Sequence, residues 1–399
     1  MRVPLLDLHE QLKPLRDDIL AGITEVLDST GYIMGPKVEA LEMEVASYCQ
    51  AKHGIGVTSG TDALLAVLMA LGIGPGDLVL TTPYTFVATI GCILRLGARP
   101  LFADIDPITF NIDPAKAADV LSHPNHAGKI KAILPVHLYG QCADMTAIKK
   151  IADKHKLKLI EDNAQAIGAA GPGFKIGQLS DVATTSFIIQ KNLGTFGDSG
   201  ALVTNNAEID AAVRRLRNHG STARNVHSFG FNSRLDDLHA GILSAKLKHI
   251  DEYNNQRRKW ADRYTAGLKG STTFDLPVAL PGYRHVFHLY VIETKQAEQR
   301  DKLVDFLVAN GVDAKTHYSI AIHKQAGYPW GKNARVVGPV TNAEANAACC
   351  VSLPMFPELT ADEVDYVIAK VKEWDRANAA AGSAQPGAAQ CGPTCACCR

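Results

Sequence analysis

The sequence predicts an α/β fold, with a mainly parallel sheet sandwiched by helices and followed by a smaller α+β domain. Three observations predict it. Short apolar runs recur up to residue 205, longer helical patterns fill most of the gaps between them, and the pattern changes after about residue 235. The runs are GIGVTS (54–59), LVLTT (78–82), PLFAD (100–104), KAILPV (131–136), KLKLIED (156–162), ATTSFI (183–188) and ALVTN (201–205). Runs that are largely apolar rather than alternating belong to strands buried on both faces, as in parallel sheets. Helical patterns sit between most of them, at Thr61–Leu71, Ala88–Leu96, Ala143–His155 and Ile209–Arg217.

From Leu235 to Leu268 runs a long, nearly unbroken helical pattern, followed by VFHLYVIET (286–294), a helix over Gln299–Asn310, DAKTHY (313–318), CCVSLPM (349–355) and a closing helix over Ala361–Asn378. The expected division is a large domain over 1–234 that includes the N-terminal segment, a linking helix and small domain over 235–378, and a disordered Cys-rich tail over 379–399.

Composition narrows the function. The 399 residues carry 41 Lys+Arg and 41 Asp+Glu, a formal net charge of zero, so there is no electrostatic footprint for nucleic acid or an anionic membrane. No apolar run approaches the ~20 residues of a membrane-spanning helix. The opening MRVPLLDLHEQLKPL mixes charge and proline into its apolar residues, unlike a secretory signal. A soluble cytoplasmic protein is expected. Cys49, Cys92, Cys142, Cys349 and Cys350 read as reduced thiols, mostly buried. Cys391, Cys395, Cys397 and Cys398 crowd the tail in a spacing that matches no zinc motif, and no metal is expected; a soft-metal or redox role there is the alternative to incidental thiols.

Four segments carry candidate chemistry, each with a plainer reading beside it. In SFIIQKNLGTFGDSG, Lys191 ends a strand, apolar on one side and glycine-rich on the other. Most lysines are solvated; one at the end of a buried strand is a candidate for a depressed pKa and Schiff-base chemistry, a weak signal when taken alone. In KLKLIEDNAQAIGA, Asp162 ends an apolar strand, either capping a turn or holding a cationic ligand. In GVTSGTDALL, a strand runs through Ser59, Gly60 and Thr61 into a helix whose N-terminus is an ordinary cap or a phosphate site. In TTPYTFVAT, Tyr84 and Phe86 are core aromatics or a platform for a planar ligand. All four fall at the C-terminal ends of expected parallel strands, where open α/β sheets bind ligands. A phosphate anchor, a ring platform, a carboxylate and an amine make one complete pyridoxal 5′-phosphate (PLP) site.

These segments, with TGYIMGPKVEALE, GARPLFADID, RNHGS, GFNSRLDDLHAGIL and VSLPMFPELTADEVDYVI, resemble the DegT-type nucleotide-sugar aminotransferases over about residues 3–373. The resemblance implies a fold-type I PLP transferase with a seven-stranded sheet, acting on a keto nucleotide-sugar with L-glutamate as amino donor. It implies Lys191 as the Schiff-base lysine and proton shuttle, Asp162 as partner of the ring nitrogen, Gln165 near the ring hydroxyl and Phe86 stacked on the ring. Gly60, Thr61 and Ser186 would hold the phosphate. Asn232 would reach the phosphate of a neighbouring subunit's cofactor, making the unit a homodimer with shared sites. Tyr32, His317, Tyr318 and His323 are the implied sugar contacts. The opening PLLDLHEQLKPL and the loop Gly31–Pro36 favour a 3-keto sugar over a 4-keto one. Ile189-Gln190, Ser199 and His239 depart from the usual pattern without removing a catalytic group. Some relatives carry histidine in place of the lysine and are dehydratases; Lys191 favours transamination. A non-catalytic regulatory PLP protein is the alternative. A nicotinamide enzyme is excluded by VTSGTDAL, which lacks G-x-G-x-x-G.

Overall fold

The structure, a computed structural model, describes residues 1–379 apart from 127, 331–334 and 337. The tail cysteines Cys391, Cys395, Cys397 and Cys398, and what is expected of them, lie outside the described residues.

All seven expected strands form: β1 (His53–Val57), β2 (Leu78–Thr81), β3 (Arg99–Phe102), β4 (Ile130–Ile133), β5 (Lys158–Asp162), β8 (Val182–Ser186) and β9 (Gly200–Thr204). A small hairpin, β6 (Ala170–Gly171) and β7 (Phe174–Lys175), separates β5 from β8 in sequence. The strands lie side by side in the order β1-β9-β8-β5-β4-β2-β3, and a two-residue strand, β12 (Arg335–Val336), extends the edge beside β3. That eighth strand is too short to show as a pattern in sequence. Every neighbouring pair is parallel except those of β9, which runs against both β8 and β1.

Burial on both faces explains the unbroken apolar runs. One face of the sheet, with Ile55, Val79, Ile160 and Leu202, packs on α4 (Gly60–Ala70), α5 (Val87–Arg95) and α8 (Ala207–Leu216) through Leu64, Ile93 and Val213. The other, with Leu80, Leu101, Leu159 and Val203, packs on α3 (Pro36–Cys49), α6 (Pro114–Ser122) and α7 (Met145–His155) through Leu41, Val120 and Ile148. A second sheet, β10 (Phe274–Asp275), β11 (Tyr290–Thr294) and β13 (Cys350–Leu353), is antiparallel. It shares a core with α10 (Ile250–Leu268), α11 (Ala297–Ala309) and the closing helix Ala361–Ala379.

Three expectations differ in detail. The Leu235–Leu268 pattern is two helices, α9 (Asp237–Leu247) and α10, because Lys248 closes α9 and His249 leaves helical geometry (φ −107°, ψ 0°). No glycine or proline marks the break; packing makes it, since α9 is buried against α2 (Arg16–Ser29) and α3 while α10 lies on the closing helix. In VFHLYVIET only Tyr290–Thr294 is strand, since Val286 and Leu289 bond instead to the carbonyls of Gly140 and Tyr139. DAKTHY makes a single bridge, Lys315 to Ser352, and then turns toward the large sheet. The N-terminal helices α1 (Leu8–Leu12) and α2 were not expected from the sequence.

Asp237 fastens this arrangement. Its carboxylate, wholly buried, accepts from the N–H groups of Gly35 (2.7 Å), Lys37 (2.9 Å) and Val38 (3.3 Å) at the start of α3. These are donors that helix geometry leaves unpaired. Asp237→Ala strands them, and urea unfolding is expected to show a loss of about 3 kcal/mol. A loss within about 0.5 kcal/mol, the ordinary surface value, would contradict this account.

Candidate active site

At the C-terminal edge of the parallel strands lies a cavity of about 540 Å³. It is walled by residues that follow β1, β2, β5 and β8, and by two segments of the second core, Arg257–His288 side chains and His317–Tyr318. The N-terminal Leu5 and Leu6 close one side.

Asp162, the last residue of β5, is 5% exposed. Its carboxylate accepts from the Thr89 hydroxyl at 2.8 Å and from the Ala164 N–H at 3.1 Å. Burial pushes the carboxyl up from the ordinary aspartate range; the two hydrogen bonds and the charge of Lys191 pull the other way. The expected capping role is therefore real but incomplete, since the carboxylate also opens onto the cavity.

Lys191 follows β8 on a turn held by its own N–H bonding to the Ile188 carbonyl at 2.9 Å. Its amine has no hydrogen-bond or ion-pair partner among the described residues. Burial pushes it down from 10.5 to about 8, against the opposing attraction of Asp162. A neutral amine is the nucleophilic form, and this environment favours it.

The helix α4 opens on the same cavity. Ser59 caps it, its hydroxyl accepting from the Asp62 N–H at 3.0 Å. The N–H groups of Gly60 and Thr61 lie ahead of any helical acceptor, a place that suits an anion. A Cβ on Gly60 would stand 2.6 Å from that of Ser186, so only glycine lets the two strand ends approach. Phe86, 54% exposed, precedes α5 with its ring 6.0 Å from that of Tyr318. Gln165 accepts from the Tyr139 N–H at 2.8 Å and donates to the Tyr318 hydroxyl at 3.0 Å.

The structure thus brings Gly60, Thr61, Phe86, Asp162, Gln165, Ser186, Lys191, His317 and Tyr318 to one cavity. Three expected residues are elsewhere. Tyr32 is exposed in the loop before α3. His323 is paired with Glu344 at 2.8 Å and packs beside Phe102, so it is not a contact of this cavity. Asn232 is exposed and bridges to Asn218. Tyr84, weighed as a platform, is buried and bonds to the Tyr139 hydroxyl at 2.9 Å. Sequence reading missed Thr89, His288, Arg257, Gln190 and Asp198. Thr89 lies within the quoted TTPYTFVAT, three positions after Phe86, and Gln190 and Asp198 within SFIIQKNLGTFGDSG; Arg257 and His288 carry no local signal.

The residues fit a planar, anionic, electrophilic ligand. A carboxylate, an unpaired amine, a free helix N-terminus and an exposed ring converge, and the Gly60–Ser186 approach leaves a cradle that a side chain would fill. A family model for DegT/DnrJ/EryC1/StrS aminotransferases matches residues 14–372. The chain belongs to this family.

As a member it is an aminotransferase whose cofactor is PLP. It is 45% identical to a "pleiotropic regulatory protein" of Geobacillus stearothermophilus, covering 94% of this chain and 99% of that one. It is 41% identical to the dTDP-3-amino-3,4,6-trideoxy-alpha-D-glucose transaminase of Streptomyces venezuelae, covering 94% and 96%. Among solved structures, S. venezuelae DesV in complex with a ketimine intermediate superposes with a TM-score of 0.89 at 40% identity, covering 94% and 98%. NtdA of Bacillus subtilis with bound cofactor PMP, pyridoxamine phosphate, does so at 0.85 and 33%, covering 94% and 85%. Among the described residues no helix is long and apolar enough to cross a membrane.

The depressed Lys191 amine makes a measurable prediction. In cofactor-free protein, acylation at position 191 should rise as pH passes about 8, while solvent-exposed lysines respond nearer the ordinary 10.5. Mass spectrometry after pulse labelling reads each site. A midpoint at 191 no lower than that of the exposed lysines would contradict the environment described here.

Proposed function

We propose that this aminotransferase moves an amino group from L-glutamate to a keto nucleotide-sugar, with the keto group at C3, leaving an amino-sugar nucleotide. What carries the reading is that Lys191 and Asp162 open on one cavity, with burial favouring a neutral amine at Lys191. The S. venezuelae transaminase, whose product is a 3-amino sugar, supports the 3-keto position.

Bound PLP supplies an aldehyde that exchanges amines and a protonated ring that accepts electron density. Lys191 would offer the amine that holds the cofactor's aldehyde and, as a free amine, would carry the proton removed from the donor's Cα. Asp162 would keep the ring nitrogen protonated, and the Thr89 hydrogen bond orients the Asp162 carboxylate and works against the rise that burial causes. Gly60 and Thr61 at the α4 N-terminus, with Ser186, would hold the phosphate. Phe86 would lie against the ring, and Gln165, held by Tyr139 and Tyr318, would meet its hydroxyl edge. His317 and Tyr318 bound the sugar side.

Asn232 is exposed and does not line its own chain's cavity, which suits a role across a homodimer, completing the neighbouring subunit's phosphate site. Tyr32, exposed beside the same surface loop system, would serve the neighbour's sugar pocket in the same way. The second antiparallel sheet and the core it shares with α10, α11 and the closing helix support a small domain reached through a linking helix, of which the first part, α9, packs on α2 and α3 of the large domain.

Lys191→Ala is expected to abolish borohydride fixation of the cofactor and to slow glutamate-driven spectral conversion at least about 10³-fold. On the wild type, a panel of keto nucleotide-sugars should give kcat/KM at least about 10-fold higher for 3-keto than for 4-keto members, a difference of about 1.4 kcal/mol. Conversion that survives at position 191 without its amine would overturn the reading, and a 4-keto preference would overturn its sugar part.

A further inference from the structure

Tyr84 and Tyr139 take no part in the transfer itself, and neither lines the cavity. Tyr84 follows β2, and Tyr139 follows β4, the neighbouring strand of the sheet. Both side chains are buried, and their rings meet edge to face at 6.5 Å. A buried phenol needs a partner for its hydroxyl. Here the partners belong to one peptide group, the one that joins His317 to Tyr318.

The Tyr318 N–H donates to the Tyr84 oxygen at 2.7 Å, and the Tyr139 hydroxyl donates to the His317 carbonyl. The two hydroxyls are 2.9 Å apart. Each has a single proton to give. That of Tyr139 goes to the carbonyl, so its oxygen accepts the proton of Tyr84. The result is a closed series: Tyr318 N–H, Tyr84 hydroxyl, Tyr139 hydroxyl, His317 carbonyl. Tyr84 also lies 3.0 Å from the His317 carbonyl, and 3.3 Å from the Tyr318 carbonyl and from the Cys350 sulfur. Burial pushes both phenols well above the ordinary tyrosine range, so each keeps its proton near neutral pH.

This series holds the segment at the cavity. On one side Lys315 bonds to Ser352 of β13, and on the other Ile322 bonds to the Pro83 carbonyl. Between them, residues 316–320 make no hydrogen bond to other backbone among the described residues, and Ser319 and Ile320 are exposed. The two tyrosines, with the Cys350 thiol at 3.7 Å from the Tyr318 carbonyl, fix the backbone across that gap. The side chains that flank the clamped peptide group are the ones that line the cavity. His317 turns its Nδ1 to the Ser352 hydroxyl at 2.9 Å, and the Tyr318 hydroxyl accepts from Gln165 at 3.0 Å. The Tyr318 ring stands 6.0 Å from that of Phe86.

We propose that Tyr84 and Tyr139 are positioning residues for the acceptor sugar. By clamping one peptide group they set where the His317 and Tyr318 side chains stand, and so which keto carbon is brought to the amine. The proposal rests on the reading above, in which His317 and Tyr318 bound the sugar side. It adds two residues that touch no ligand and yet govern specificity. The sugar is the bulkier of the two substrates, so a shift of this wall costs it more than it costs the amino acid. A misplacement of about 1 Å is enough to cost about 100-fold in rate.

Tyr84→Phe and Tyr139→Phe keep ring and volume and remove one hydroxyl each. Each holoenzyme should need about 10-fold more 3-keto nucleotide-sugar for half-maximal return of the pyridoxamine form to PLP, with glutamate-driven conversion changed less than about 3-fold. The preference for 3-keto over 4-keto sugars should fall below about 3-fold. Because the bonds run in series, breaking one breaks the clamp, and the double variant should be no worse than the poorer single one. Equal losses in both half-reactions would mean a structural role and would overturn the proposal. So would single losses that multiply in the double variant.

A second measurement needs no turnover. In resting wild-type holoenzyme the Tyr318 amide should exchange slowly with deuterium, read by mass spectrometry with electron-transfer fragmentation. In Tyr84→Phe it should exchange at least about 10-fold faster, with the Ile160 amide in β5 unchanged. A Tyr318 amide that exchanges in the wild type as fast as that of exposed Ser319 would overturn the clamp. The failures are distinct. Wild-type protein that glutamate does not convert sinks the transamination reading. Variants that exchange faster at Tyr318 but handle the sugars as the wild type does sink the positioning role alone.

Discussion

A buried carboxyl and the amine of a half-buried lysine face one cavity without a hydrogen bond or ion pair between them, and the site is organised around that separation. Direct contact would favour both charges, lowering the carboxyl and raising the amine. Here burial wins on each side, so the Asp162 carboxyl rises and the Lys191 amine falls. Two restraints keep them apart. Thr89 and the Ala164 N–H hold both carboxylate oxygens of Asp162, and the turn from Ile188 to Lys191 is closed by its own backbone bond. Each group thus keeps an unspent interaction directed into the same space, which is the electrostatic preorganisation that catalysis by a bound electrophile needs.

That separation follows from topology. Parallel strands all end on one edge, so residues after β1, β2, β5 and β8 meet there although they span residues 59 to 191. The antiparallel β9 does not break the scheme. Because it runs the other way, its first residue, Gly200, arrives at the same edge and lies against Ser59, where a Cβ would stand 2.5 Å from the Ser59 carbonyl carbon. The reversal brings the two ends of the lysine loop, Ser186 and Gly200, back to paired positions in β8 and β9. The loop between them is therefore short and clamped, and Lys191 is presented by a frame rather than by a free chain.

How much was legible in sequence follows from which contacts are local. Lys191, Asp162, Gly60 and Phe86 each sit at the end of an apolar run, so period and position alone place them at one edge. Thr89 was invisible for the opposite reason: its meaning comes from Asp162, 73 residues away, and nothing in its own helix marks it. Arg257 and His288 come from the second core, whose docking on the sheet has no local pattern. The α9–α10 break was hidden because no proline or glycine makes it; neighbouring helices do. His323 shows the limit of carrying a role by segment: its neighbours His317 and Tyr318 line the cavity, while its own ring is drawn to Glu344.

The N-terminal segment, which sequence periodicity left unassigned, is tied to the site by charge. Lys246 on α9 is 1% exposed, and its amine donates to Gln11 at 2.8 Å and to the carbonyl of Gly194 at 2.5 Å. Gly194 lies three residues after Lys191, and Gln11 lies on α1, just past the Leu5 and Leu6 that close the cavity. One buried amine therefore joins the wall to the back of the lysine loop. Burial lowers that amine to about 8, so its bonding to two acceptors costs desolvation that only a fully satisfied site repays. A chain beginning after α1 would leave Lys246 with one acceptor and the cavity without its Leu5–Leu6 side. The first eleven residues are for this reason part of the active-site architecture, although none of them touches the reacting groups.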